Sequence, residues 1–335
     1  MKMEAKLPAF PKTRLRRPRL NRFSRRLVQE NQLTVSDLIW NIIISDGPDP
    51  RDPVPSLPGV DRVNIDEAVK DARRALSLGI PAIALFPHIE SDLKDPVGTE
   101  ALNPEGLVPR TIRAIKSEVP ELGIIVDVAL DPFTDHGHDG VIAGDEIIND
   151  ITVEALADGA IILADAGADI VAPSDMMDGR VAAIRQRLDQ HGHHNVMIMS
   201  YAAKYASGFY GPYRDAIGTS AVLKGDKRTY QMDPANSNEA LREIALDIEE
   251  GADMVMIKPG MPYLDIIYRI KSEFMMPTFA FQVSGEAAMI RAAAENGWID
   301  EKRVILESLI SFKRAGCDGV LTYFAPNVAE WINED

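Results

Sequence analysis

Short apolar runs alternate with segments of helical periodicity along most of this chain. Leu38 to Ile44 is the first run, opened by Thr34-Val35-Ser36-Asp37 and closed by Asp46-Gly47-Pro48. A Pro-rich loop to Pro58-Gly59 separates it from Ile65 to Leu78, where apolar residues recur at helical spacing. Asp66 and Glu67 suit the first turn of that helix and Gly79 its end. Pro81 to Phe86 then reads as a strand. The cadence returns with helices predicted over 111–119, 153–166, 180–191, 238–250, 263–273 and 305–315, each leading into a strand. Those strands are Gly123 to Leu130, Asp169 to Pro173, Val196 to Met199, Met254 to Lys258, Thr278 to Val283 and Gly319 to Tyr323.

Eight strand candidates result, apolar on both faces, as strands of a parallel sheet are. Many of the helices before them end on Gly. Eight such units over about 300 residues suit a (β/α)8 TIM barrel better than an open doubly wound sheet, and no G-x-G-x-x-G follows the first strand. Chemistry in such a barrel belongs at the carboxyl ends of the strands. The residues there are Asp127, Ser174-Asp175, Lys204, Lys258, Ser284 and Tyr323.

Lys258 is the anomaly among them. It ends the run Met254 to Ile257 and is stopped at once by Pro259-Gly260. A lone lysine at a sheet rim reads first as an ion-paired or snorkelling residue. A second copy changes the picture: Lys204 follows the run Val196 to Met199 in the same manner, on what would be the neighbouring strand. Adjacent parallel strands lie about 5 Å apart, close enough for both amines to open into one pocket. Burial and a neighbouring cation both lower a lysine's pKa toward neutrality, where the amine becomes a nucleophile. The chemistry implied is Schiff-base formation with two carbonyl substrates, an aldolase-like condensation.

Two connections exceed plain loops. Residues 130–149 contain Asp131, Asp135, His136, His138, Asp139, Asp145 and Glu146, which read either as a carboxylate-lined cation site or as a solvated acidic loop. Residues 211–236 hold Arg214, Lys224, Lys227 and Arg228, a candidate lid over an anionic substrate or free surface charge.

Composition narrows the class. With 335 residues and 46% hydrophobic content the chain can bury a large core. It has no apolar run of membrane-spanning length and no secretory signal, so a cytoplasmic protein with no membrane partner is expected. The single cysteine, Cys317, excludes an intramolecular disulfide and a cysteine-built zinc site. The net charge of −15 is uneven: residues 1–26 carry ten Lys/Arg against one acid, Glu4, leaving +9 there and −24 elsewhere. A basic tail suits nucleic acid or a transit peptide, but the acidic remainder would repel a phosphate backbone and Ser24 is the tail's only serine. No nucleic-acid partner is expected. A basic arm lying on an acidic body, its own or a neighbour's, is favoured instead.

The stretches YAAKYASGFYGPYRDA, YQMDPAN, GADMVMIKPGMPYLD, QVSGE, VAPSDMMDGR and DVALDPFTDHGHDG together resemble the porphobilinogen synthase (5-aminolevulinate dehydratase) family, from about Arg14 to Tyr323. The resemblance implies a TIM barrel, residues 35–335, with an extended N-terminal arm, residues 1–34, and a lid over about 211–236. It implies the condensation of two 5-aminolevulinate molecules to porphobilinogen with loss of two waters, a hydro-lyase step of tetrapyrrole biosynthesis. Carried over by position, Lys258 would be the Schiff-base lysine for the substrate that becomes the propionate side, and Lys204 that for the acetate side. Ser284 and Tyr323 would hold the first substrate's carboxylate. Arg214, Lys227 and Gln231 would hold the second's, with Asp127 and Ser174 close to the reacting groups.

The sequence departs from the family's zinc-dependent branch, whose three cysteines fall at Ala129, Asp131 and Asp139. No zinc is expected; the aspartates suit Mg²⁺, a monovalent ion or the substrate amine. Glu243 matches the family's glutamate for an allosteric Mg²⁺ outside the active site. The family habit is a homo-oligomer, typically an octamer, held in part by the arm. Two other readings compete: a class I Schiff-base aldolase or lyase of the dihydrodipicolinate synthase type, which needs one lysine, and a non-catalytic barrel scaffold.

Overall fold

The structure, a computed structural model, describes residues 8–334 except 145, 220–222 and 224. Glu4, Asp145 and Lys224 lie outside the described residues. The chain divides into two units, Met1–Gln32 and Leu33–Asp335. In the first, Arg17–Arg19 makes a 3-10 turn and Arg22–Leu27 makes helix α1. Neither buries a side chain, and Phe10, Leu15, Leu20, Phe23 and Leu27 are exposed.

The second unit begins with a Thr34/Asp37 capping box that turns the chain into the first strand. It contains β1 (Leu38–Ser45), β2 (Arg51–Pro53), β3 (Asp61–Val63), α2 (Ile65–Leu78), β4 (Ala82–His88), α3 (Leu107–Glu118), β5 (Gly123–Val128), β6 (Ile142–Ala143) and β7 (Glu146–Ile147). Then come α4 (Asn149–Ala166), β8 (Ile170–Pro173), α5 (Arg180–Gln190), β9 (Met197–Lys204), α6 (Gly211–Ala216), α7 (Asn238–Glu249) and β10 (Met254–Lys258). The chain ends with α8 (Leu264–Phe274), β11 (Thr278–Phe281), α9 (Ser284–Glu295), α10 (Glu301–Ala315), β12 (Gly319–Thr322) and α11 (Ala325–Glu334).

Strands β1, β4, β5, β8, β9, β10, β11 and β12 pair in parallel in that order, and β12 pairs back onto β1, closing the barrel. The predicted TIM barrel is present. Nearly every residue of these strands is buried, because barrel interior and helix layer cover both faces. The return from helix to strand uses one local device three times. Gly167, Gly251 and Gly316 take φ of 106–107°, a left-handed turn that favours glycine. Two residues on, Asp169, Asp253 and Asp318 each accept an N–H at the start of the preceding barrel strand, at 2.7 Å from Ile124, Ile198 and Thr278. The repeated Gly-x-Asp therefore stops a helix and sets strand register.

Several elements were not foreseen, the short helices α1 and α6 among them. Helix α9 follows β11 almost without a loop, and α11 closes the chain. The Pro-rich loop contains the β2–β3 hairpin, whose β3 joins the upper end of β1 where β12 stops. A small β6–β7 hairpin interrupts the acidic connection.

Candidate active site

The site is built on a defect in β9. Between Val255 and Ile257 of β10 the chain advances two residues, while their partners Ser200 and Ala203 on β9 are three apart. That extra residue is a β-bulge, and it reverses side-chain parity beyond it. In an unbroken strand Tyr201 and Lys204 would face opposite sides. Here both turn inward: the Tyr201 ring lies 5.0 Å from the Lys258 Nζ, and Lys204 Nζ meets Asp139. Lys204 and Lys258 end as direct neighbours in the pairing. Ser200, before the bulge, points outward to a buried pair formed by Arg180 and Asp247.

The two lysines sit in different surroundings. Lys258 is 3% exposed and its Nζ lies within 4.5–5.7 Å of the rings of Phe281, Tyr213, Tyr201 and Tyr210. Burial, and then the nearby charge of Lys204, bring its amine down to about 7, against the opposing pull of Asp127. Lys204 Nζ instead donates to Asp139 Oδ1 at 3.1 Å and to the carbonyl oxygen of Ser174. Lys204 is hydrogen-bonded to a carboxylate, whereas Lys258 is faced by rings.

Carboxylates divide in the same way. Asp139 is fully buried between Lys204 and Lys227, whose Nζ donates to Asp139 Oδ2 at 2.6 Å and to Asp131 Oδ2 at 3.1 Å. Burial alone would raise the Asp139 carboxyl, but the two ammonium groups outweigh it and hold it well below the usual range. The hydroxyl of Tyr230 also donates to Asp139, at 2.9 Å. Asp127 has no such cover. Burial pushes its carboxyl up to about 6 against Lys258 and Lys204, and its Oδ1 has no hydrogen-bond partner among the described residues. With both lysines in place, Asp127 is placed to exchange a proton near neutrality and Asp139 is not.

One pocket gathers Asp127, Asp131, Ser174, Lys204, Arg214, Lys227, Gln231 and Lys258. Ser284 begins α9 and its Oγ accepts the backbone N–H of Tyr213 at 2.8 Å, tying it to α6. The Tyr323 ring packs 6.3 Å from Phe281, and its buried hydroxyl, like Gln231 Oε1, has no partner among the described residues. Glu243 is elsewhere, in a cleft of ≈ 470 Å³ with Glu146, Asp178 and Glu239. Burial raises its carboxyl, with Arg180 opposing.

The sequence reading missed the ring cage, although Tyr201, Tyr210 and Tyr213 stand in the stretch around Lys204. It also missed Tyr230 and Glu286. Glu286 accepts the N–H groups of Met261 and Val283, fastening the loop after Lys258 to the start of α9. A glutamate three residues past a strand end, where it caps a helix, was the available signal.

A family model described as delta-aminolevulinic acid dehydratase matches residues 12–331. A Bradyrhizobium diazoefficiens protein named delta-aminolevulinic acid dehydratase is 62% identical over 317 residues, covering 94% of this chain and 90% of that protein. A Rhodobacter capsulatus protein of the same name is 54% identical over 325 residues, covering 97% and 98%. Among solved structures, delta-aminolevulinic acid dehydratase (porphobilinogen synthase) from Toxoplasma gondii, in complex with the reaction product porphobilinogen, superposes with a TM-score of 0.94. It shares 49% identity, and the match covers 96% of this chain and 92% of that one.

Proposed function

This chain belongs to the delta-aminolevulinic acid dehydratase family, and from that premise we propose how its residues divide the reaction. The enzyme is a lyase that condenses two molecules of 5-aminolevulinate into porphobilinogen, with loss of two waters, in tetrapyrrole biosynthesis. The observation that carries the division of labour is the contrast between neighbouring lysines, one caged by rings and one tied to a carboxylate.

Lys258, with its amine near neutrality, attacks the ketone of the first substrate, and one water leaves as the imine forms. Ser284 and Tyr323 hold that substrate's carboxylate. Lys204 forms the second imine, its proton passing to Asp139 as Lys227 leaves that carboxylate for the second substrate. Arg214, Lys227 and Gln231 hold the second carboxylate. Lys227 must exchange an aspartate for it, so the lid site is pre-charged rather than vacant. An imine acidifies the neighbouring carbon, and Asp127 accepts the proton. The scaffold and one-lysine alternatives leave this paired arrangement without a use.

Zinc does not fit. The oxygens of Asp131 and Asp139 are taken by the ammonium of Lys227, which supplies the positive charge a metal would bring. No catalytic step is assigned to a metal. Outside the pocket, Glu239 and Glu243 stand one helical turn apart on α7 and line one cleft with Asp178. Hard carboxylate oxygens of this kind suit a hydrated Mg²⁺ that keeps most of its waters. Glu243 would hold it and offset the charge that burial opposes.

Assembly follows from the arm. Its exposed Leu15, Leu20, Phe23 and Leu27, with its basic charge, suit the acidic body of a second copy, and we assign the active form to an octamer. No helix among the described residues is long and apolar enough to cross a membrane, and a cytoplasmic enzyme is proposed.

Borohydride with 5-aminolevulinate, followed by peptide mass mapping, tests the proposal. Adducts are expected on Lys258 and Lys204, with pyrrole formed before trapping and no loss of either on zinc chelation. Pyrrole formation without an adduct on Lys258 would overturn the assignment.

A further inference from the structure

The hairpin β2–β3 has no part in the chemistry above, yet it grips the element that does. Arg62, in the middle of β3, is bolted to the barrel wall: it pairs with Ile43 of β1 on one side and with Asp52 of β2 on the other. Its guanidinium reaches away from the hairpin to α6. Nε donates to the carbonyl oxygen of Ala216 at 2.8 Å and Nη2 to that of Asp215 at 2.9 Å, while Nη1 is held by Asp52 at 2.6 Å. A planar cation at the last carbonyls of a helix satisfies acceptors that have no partner within the helix, and it faces the negative end of the helix dipole. The hydroxyl of Ser56, in the loop of the same hairpin, adds a contact to the Asp215 carboxylate. The planar guanidinium of Arg62 reaches both carbonyls in a fixed fork.

Helix α6 is short, although it buries Tyr213 and Ala216. It has six residues, too few to be stable alone, and its start is tied by the Tyr213 N–H to Ser284. Between that tie and Arg62 stand Tyr213, whose ring lies 4.8 Å from the Lys258 amine, and Arg214, which lines the pocket. We infer that Arg62 is a positioning residue for the second substrate: by clamping the carboxyl end of the lid helix to the barrel wall it sets the reach of Arg214. This rests on the lid assignment proposed above. Arg62 touches no reacting atom, so its effect runs through α6.

The test is steady-state kinetics on Arg62→Ala, Arg62→Lys, Arg214→Ala and the Arg62/Arg214 double variant, with thermal unfolding as a check on folding. Arg62→Ala is expected to raise KM for 5-aminolevulinate about tenfold to a hundredfold, the worth of one or two charge-assisted hydrogen bonds. Arg62→Lys should recover part of this. Single-turnover trapping at Lys258 should keep its normal rate, and in an Arg214→Ala background the Arg62 substitution should add little. A merely structural arginine would lower stability without moving KM or spare Lys258 selectively. If Arg214→Ala raises KM and Arg62→Ala does not, the clamp is refuted and the lid stands. If Arg214→Ala itself leaves KM unchanged, the lid reading falls. Should Arg62→Ala fold poorly, Ser56→Ala probes the same grip more gently. A smaller rise in KM is then expected, and an unchanged KM in both Ser56→Ala and Arg62→Lys would overturn the inference.

Discussion

Removing the Lys204 charge should make Lys258 a poorer nucleophile at neutral pH, although Lys204 touches neither the amine nor its substrate. The ends of the two strands are paired, with their chains about 5 Å apart. Two ammonium groups about 7 Å apart at an effective dielectric constant of about 20 repel by about 2 kcal/mol, the scale to expect for lysines ending neighbouring strands. That corresponds to roughly 1.5 pH units in the midpoint of Lys258. The neutral amine is the reactive form, so adduct formation rises with pH through the midpoint, about 7 in the wild type. In Lys204→Met the ammonium of Lys258 is repelled less and the midpoint moves up. At pH 7 the neutral fraction then falls from about half to a few per cent, and the initial rate drops roughly fifteenfold. Asp127→Asn has the opposite sign, because that carboxylate favours the ammonium, and the midpoint should move down. The assay is single-turnover trapping of levulinate by cyanoborohydride between pH 5.5 and 9.5, read by mass at Lys258. Levulinate lacks an amino group, so its own titration does not enter this range. Midpoints that stay put, or move in one direction in both variants, would refute the electrostatic account.

The same burial carries a stability cost. Lys258→Met should abolish turnover yet stabilise the fold at pH 7 by a few kcal/mol, since the unfolded chain binds a proton near pH 10.4 that the folded one gives up near 7. Wild-type stability should therefore climb between pH 7 and 10 relative to the variant, which denaturant unfolding at two pH values will show; parallel curves would count against it. Asp139→Asn leaves two buried ammonium groups facing each other and should cost about 3 to 5 kcal/mol in the same measurement. Gly285→Ala would place a methyl group 2.9 Å from the backbone C and Cα of Phe209, just before α6. The base of the lid must shift, so a rise in KM with about 1 to 3 kcal/mol of destabilisation is expected; unchanged kinetics would show that the lid tolerates the move.

The barrel was legible because its signal is redundant. Eight doubly apolar runs, with Gly-x-Asp punctuation before several of them, leave few other folds open. The missed elements lack that redundancy. Strands β2 and β3 have three residues each, mostly polar or exposed, and offer no alternation to read. Helix α9 is rich in alanine with only a narrow apolar stripe, and it starts where the strand pattern has barely ended. The lysine pair was visible from its positions, but the bulge that makes it a pair was not. Tyr201-Ala202-Ala203-Lys204 reads in sequence as a strand with its lysine on the wrong face, and nothing local announces an extra residue opposite Met256.

That bulge also explains why two lysines that look equivalent in sequence are not equivalent in chemistry. Turning Lys204 inward past the last small residues of β9 carries its amine to the Ser174 carbonyl and the Asp139 carboxylate. Lys258, on the regular strand, keeps its amine among aromatic rings, with Asp127 acting on it through charge. A ring face attracts an ammonium by a kcal/mol or so, far less than desolvation costs it, and the balance falls to the neutral amine. Lys204 then serves twice, as a carbonyl acceptor and as the charge that lowers its neighbour. It supplies that charge while paired with Asp139, and it attacks its own carbonyl only after giving up a proton. Lys227 shares that carboxylate, so, on the proposed division of roles, drawing Lys227 toward an incoming substrate carboxylate removes one of the two cations that depress Asp139 and makes it a better acceptor for the Lys204 proton. Occupation of the second site thereby frees the second amine at the moment a carbonyl is present to take it.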